Sequence, residues 1–189
     1  MLLTAAQLLQ RQGFHATGLK QILEESGAPR GSLYFHFPGG KEQLAAQAVR
    51  ESGTRTARAV EALLAASPGL REAIHTLFQS FAKMLRTSNF VEGCPVATVT
   101  LEAAASSEAI RDACAKSYQE WQQLIRDRLA AAGLPPARAE PLATLVLAAI
   151  EGALILSRAH HDTKLLGVVA DQLTVLVESS LASPRKMRQ

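Results

Sequence analysis

The sequence predicts an all-α fold of about nine helices, a small three-helix bundle at the N-terminus followed by a larger helical body. Three observations carry that expectation. Ala, Leu, Glu, Gln and Arg dominate, and no segment alternates apolar and polar residues with period two. Val and Ile recur instead at the three-to-four spacing of one helix face. Gly and Pro cut the first forty residues into short pieces and then spread out, so short helices precede long ones.

The punctuation sets each element in turn. Gly13 closes a first helix over roughly residues 2–12, and Gly27 divides a second at about 18–26 from a third at about 28–36. Pro38-Gly39-Gly40 stops the third, and a long fourth runs from about 41 to 66. Ser67-Pro68-Gly69, Gly93-Cys94-Pro95, Gly133 to Pro136 and His161-Asp162 then bound the rest. They leave helices at about 69–87, 95–105, 107–132, 136–160 and 164–182. The expected division is a small N-terminal domain over 1–45, a larger helical domain over 46–182, and a basic tail over 183–189.

The bulk properties exclude several classes. The chain has 189 residues and is 48% hydrophobic, enough to bury a real core, and 20% charged. A net charge of +3 is weak evidence for a polyanionic partner. Cys94 and Cys114 stand far apart with no C-x-x-C spacing, so they build no disulfide scaffold. They read as buried reduced thiols, with a redox-sensing pair as the alternative. The first residues lack a basic stretch followed by an apolar run, and the apolar segment Leu142 to Leu156 is broken by Thr144, Glu151 and Gly152. A cytoplasmic protein with no membrane partner is expected. No G-x-S-x-G, phosphate-binding glycine loop, H-E-x-x-H or nucleophilic Cys/His setting appears, so no enzyme and no cofactor are expected. His160-His161-Asp162 has no third ligand nearby in sequence and reads as a solvated helix end rather than a metal site.

One stretch is unlike the rest: "SGAPRGSLYFHFPGGKEQL", Ser26 to Leu44. Ile22 and Leu23 face inward on a short helix, Gly27 supplies a left-handed turn, Ala28 is small, and Leu33 returns to the core. Helix, glycine turn, small residue, helix is the helix-turn-helix pattern, whose second helix lies in the DNA major groove. Short helix pairs of this kind also occur in plain bundles. In the DNA-binding reading Pro29 starts the third helix. Arg30 makes bidentate bonds to guanine, and Gly31 and Ser32 let the backbone approach. Tyr34 and His36 donate to phosphate, as does Lys41 at the start of the fourth helix. Thr17 and Lys20 clamp a phosphate on the other side. Residues 1–50 hold five Lys/Arg against three Glu, so this quarter carries most of the net charge.

The run "GFHATGLKQILEESGAPRGSLYFHFPGGKEQL" resembles the N-terminal domain of TetR-type transcriptional regulators, over about residues 4–45. The carrying features are G-F, Thr17 opening the second helix, I-L-x-x-S-G-A, G-S-L-Y-F-H-F and K-E-x-L. "EGCPVATVTLEAA" is similar to the subgroup of lincomycin-resistance repressors that control multidrug-efflux operons. The resemblance implies a nine-helix homodimer: a helix-turn-helix domain over 1–45 that binds a palindromic operator in double-stranded DNA, and a ligand-binding and dimerisation domain over 46–182 through which a small-molecule inducer releases it. The family often has a basic arm before the first helix; this sequence opens "MLLTAAQLL".

In the body, Ile74, Phe78, Phe81 and Leu85 share one face of the fifth helix, and Ile110, Cys114, Tyr118, Trp121 and Ile125 one face of the seventh. Phe78, Phe81, Cys94, Tyr118 and Trp121 are candidate contacts for an apolar or aromatic effector; ordinary core is the other reading. The last two helices are apolar nearly all round, more than one body can cover. Pairing with a second copy through Leu145, Ala149, Gly152, Ala153, Leu173 and Leu176 would make a four-helix seam. A redox-sensing or ligand-independent DNA-binding regulator remains the alternative.

Overall fold

Glycine and proline end helices where the sequence marks them. The computed structural model describes residues 1–182, and among them nine α-helices follow one another: α1 (Leu2–Ala16), α2 (Leu19–Ser26), α3 (Arg30–His36), α4 (Gly40–Ala66), α5 (Leu70–Thr87), α6 (Pro95–Ala103), α7 (Glu108–Ala131), α8 (Pro136–His160) and α9 (Lys164–Ala182). No strand occurs among the described residues. The all-α expectation holds, and the largest departure is at α1. Its helical path is interrupted at Gly13, with φ 80° and ψ −178°, but a last turn resumes and reaches Ala16. The basic tail expected over 183–189 lies outside the described residues.

The chain folds as two units, each assembled from two stretches. The first takes Met1–Arg58 and Val91–Glu120. Its core is built from small and medium residues: Ala5, Leu8 and Leu9 of α1, Leu44, Ala48 and Val49 of α4, Val96 and Val99 of α6, and Ile110 and Ala113 of α7. Alanine-rich faces let helix axes approach closely. Gly53 of α4 lies against Ser117 of α7, where an added Cβ would strike the serine hydroxyl. α6 lies along α1.

The second unit takes Ala59–Phe90 and Trp121–Gln189, its structure described to Ala182. α5 packs on α9 and α9 on α8, through Leu77, Phe78 and Leu85, Leu166, Leu173 and Val177, and Val146, Ile150 and Leu154. Arg71 clamps Glu178 with two hydrogen bonds, 3.0 and 2.6 Å, and so ties the start of α5 to the end of α9. α8 ends at His161, whose left-handed backbone (φ 50°) sets its ring beside Phe90. α4 and α7 each begin in the first unit and finish in the second.

α8 and α9 are the most apolar helices. The apolar run Leu142 to Leu156 is part of a 25-residue helix, long and apolar enough to cross a bilayer, as is α9. Their own chain covers only 39% and 28% of the most apolar windows. Length therefore does not separate these helices from membrane spans, and what they leave bare has to be accounted for below.

Candidate nucleic-acid interface

The α2–α3 turn is a glycine cap. Gly27 sits at φ 65°, ψ 15°, the left-handed region an L side chain enters only with strain. Its N–H donates to Glu24 O at 3.4 Å and the Ala28 N–H to Leu23 O at 3.2 Å. Those bonds satisfy the last carbonyls of α2 and turn the chain at once into Pro29. α3 is then held from one side only. Leu33 and Phe37, four residues apart, are buried. Every residue on the other side is bare: Arg30, Gly31, Tyr34, Phe35 and His36 are all exposed.

Phe35 is the residue the sequence reading passed over. It is 82% exposed, beside Tyr34 at 65%. The signal was available: with Leu33 and Phe37 inward, a residue midway between them points outward. Two adjacent bare aromatic rings on so short a helix leave apolar surface available to a partner. His36 stands edge-on to Phe35 with centroids 5.0 Å apart. The Ser32 hydroxyl donates back to Pro29 O at 2.7 Å, and Ala28 is half-buried.

Three expected phosphate contacts sit differently from one another. Thr17 is fully buried, and its hydroxyl donates to Gly13 O at 2.6 Å. Its role here is to close the α1–α2 corner; its side chain offers nothing to a phosphate. Lys20 is exposed and lies 3.7 Å from Glu24, an i, i+4 pair that contributes little. Lys41 turns back onto α1, its Nζ 4.4 Å above the Phe14 ring and 3.4 Å from His15 O. Burial lowers its pKa and Glu102 raises it in part.

Glu102, at the end of α6, organises that corner. Its carboxylate accepts the His15 N–H at 2.9 Å, and its carbonyl lies 3.2 Å from His15 Nε2. A Cβ on Gly13 would run into the carboxylate, and φ 80° with ψ −178° is open to glycine alone. The bend that aims α2 and α3 therefore depends on a residue far along the chain. Further positive charge in this unit lies on α4, where Arg50, Arg55 and Arg58 are exposed with Glu51 among them.

The proposed effector contacts divide between the units. Phe78, Phe81 and Trp121 belong to the second; Cys94 and Tyr118 belong to the first. Phe78 and Trp121 are buried, and Phe78 meets Phe81 edge-on at 6.5 Å. Cys94 caps α6, its Sγ accepting the Ala97 N–H at 3.4 Å. Cys114 is buried too; burial pushes its thiol pKa up, and a hydrogen bond with Thr100 offsets part of that. A thiol held protonated is a poor redox sensor.

On α8 the exposed or half-exposed apolar positions include Leu145, Leu147, Ala148, Ala149, Gly152, Ile155, Leu156 and Ala159; on α9 they include Leu165, Val168, Val175 and Leu176. Leu145, Ala148, Gly152, Ile155 and Ala159 step by three and four, the period of a helix–helix seam. Ala153 and Leu173, expected in that seam, are buried inside their own unit.

The comparisons agree with this geometry. Residues 2–48 match the tetR family of bacterial regulatory proteins, and residues 71–172 match the C-terminal domain of LmrA/YxaF-like transcriptional regulators. The HTH-type transcriptional regulator LmrA of Bacillus subtilis strain 168 is 38% identical over 169 residues, 89% of this chain and 90% of LmrA. YxaF of the same organism is 38% identical over 174 residues, 92% of this chain and 91% of YxaF. In fold, a TetR transcriptional regulator from Legionella pneumophila superposes with a TM-score of 0.80 at 21% identity, over 93% of this chain and 94% of that one. With its bare α3 and matches at both ends, the chain belongs to the TetR family of DNA-binding transcriptional regulators, in its LmrA/YxaF-like branch.

Proposed function

We propose that this regulator is a repressor that grips a palindromic operator as a homodimer and lets go when a small molecule binds its body. The observation that carries the reading is α3: Leu33 and Phe37 anchor it, and its whole outer face stands free. In the major groove Arg30 reads guanine and Phe35 packs on thymine methyl groups. Tyr34 and His36 bond phosphate, and Lys20 on α2 reaches a phosphate on the other side. Residues 1–45 carry this reading, and 46–182 carry ligand response and dimerisation.

A second copy accounts for the bare apolar stripe of α8 and α9. A bilayer would require apolar residues all round, whereas Thr144, Asp171 and Gln172 interrupt the exposed face. Two such helix pairs around a two-fold axis form a four-helix seam. Gly152 allows close approach there, since a Cβ on it meets nothing within 4 Å in its own chain. The site of action is the cytoplasm, where operator DNA is.

The effector shifts the population toward a form that fits DNA poorly. α4 starts in the unit that holds α3 and ends in the other, so a displacement in one is carried along a continuous helix. Operator and effector must then weaken each other's binding by the same factor. Footprinting of the DNA flanking the gene, over a salt series, tests the DNA reading. A protected inverted repeat whose affinity falls steeply with salt is expected; absence of a protected palindrome refutes it. Trp121, the sole tryptophan, reports effector titrations with and without operator, and equal affinities refute the coupling.

A further inference from the structure

α5 and α9 pack along their length, yet between His75 and Arg86 they leave a cleft of about 210 Å³. Small side chains are the cause. Ala82, Gly167 and Ala170 line it, and a Cβ on Gly167 would have nothing within 4 Å. The floor is Phe78, only 2% exposed. One end is polar and positive. Arg86 donates to Thr163 Oγ1 at 2.9 Å, which leaves its other N–H groups and the threonine hydroxyl proton for a further acceptor. The N-terminus of α9, at Lys164, adds its partial positive charge to the same end.

The nearby acids are already engaged. Asp162 accepts the Lys164 N–H at 2.9 Å and lies 3.8 Å from its Nζ. At the opposite end Asp171 is 3.7 Å from His75 Nε2. An anionic group is thus drawn to Arg86 and repelled at the far end. Drug-sized ligands occupy roughly 300–1,000 Å³; this cleft admits something nearer one aromatic ring.

We propose that this cleft binds a small organic monocarboxylate, with the carboxylate on Arg86 and Thr163 and the apolar portion over Phe78, Ala82 and Gly167. Arginine's planar fork matches a carboxylate through two parallel bonds, which fixes orientation as well as charge. Thr163, just before α9, and the α9 residues Leu166, Gly167 and Ala170 line the cleft, while Val168, Gln172 and Val175 are exposed α9 positions outside that lining. A second copy seated on those exposed positions leaves the cleft open. The proposal rests on the reading that this chain answers a small molecule, and gives that molecule a class and a seat.

The test uses benzoate and its neutral counterpart benzamide, titrated calorimetrically into the full-length protein without DNA. Benzoate is expected to bind at least tenfold tighter than benzamide. Arg86→Ala should cost benzoate at least tenfold, and Gly167→Leu should abolish binding by filling the space. Arg86 is exposed, so its variant keeps the test decisive even if Gly167→Leu folds poorly. Equal affinity for the two probes, indifference to Arg86→Ala, or no benzoate binding at millimolar concentration overturns the proposal. Footprinting of the unliganded protein tests the repressor reading separately, so either can fail alone.

Discussion

Replacing Ile155 by Ala measures the proposed α8–α9 seam directly. Ile155 is 49% exposed in the single chain. Fully burying such a side chain contributes about 1.5–3 kcal/mol, and half of it is already covered, so a partner adds about 1 kcal/mol. A two-fold seam uses each residue twice, which gives about 2 kcal/mol per dimer. That is roughly a thirtyfold rise in the dimer dissociation constant. Alanine is the better helix former, so α8 itself should not be weakened. Sedimentation velocity of labelled protein over a dilution series reads the shift. Leu101→Ala is the control: Leu101 is 77% exposed but lies on α6, in the first unit. Unchanged association in Ile155→Ala, or an equal loss in Leu101→Ala, would refute the seam.

Three further outcomes follow from the first unit. Arg30→Ala should relax base preference at one position in each half-site, at a cost of about 1–3 kcal/mol there, read by binding to a randomised operator library; an unchanged preference would mean that Arg30 does not read a base. Gly13→Ala should destabilise the protein by at least about 1–3 kcal/mol, because its backbone conformation is glycine's alone, and a clash with Glu102 adds to that. A melting temperature equal to wild type would contradict it. Cys114 should resist iodoacetamide at neutral pH in the folded protein and react fast once unfolded, since burial raises its pKa and the attacking thiolate appears only at higher pH. Fast labelling of the native form would return the redox alternative to consideration.

The helix ends were legible because they are local. Gly27, Pro38 and Pro136 act through their own backbone, so α2, α3 and α8 end or begin within two residues of where the sequence marks them. The inward pair Leu33 and Phe37 was equally readable from spacing. What the sequence hid depends on distant partners. The Thr17 hydroxyl bonds Gly13 O, which removes it from the surface, and nothing in the order of residues distinguishes that from a free threonine. Lys41 reads from sequence as a phosphate anchor, and nothing in the order of residues shows the Phe14 ring beneath it. Glu102 shares no local pattern with Gly13, yet the two meet. The α5–α9 cleft was invisible for the same reason: it is defined by the small residues of two helices that the chain separates widely.

The interleaving of the first unit limits how this protein can be re-engineered. A chimera that borrowed the proposed DNA-reading head by splicing after α3, or even midway along α4, would leave behind Val91–Glu120. The graft would arrive without Glu102 to hold the His15 N–H, and with the α6-facing side of α1 stripped of Val96 and Val99. Operator specificity is therefore not a cassette at the front of the gene. To move it intact, a designer must carry two segments and join them twice. Editing in place the exposed Arg30 or Phe35, the positions proposed to read bases, disturbs none of that scaffolding.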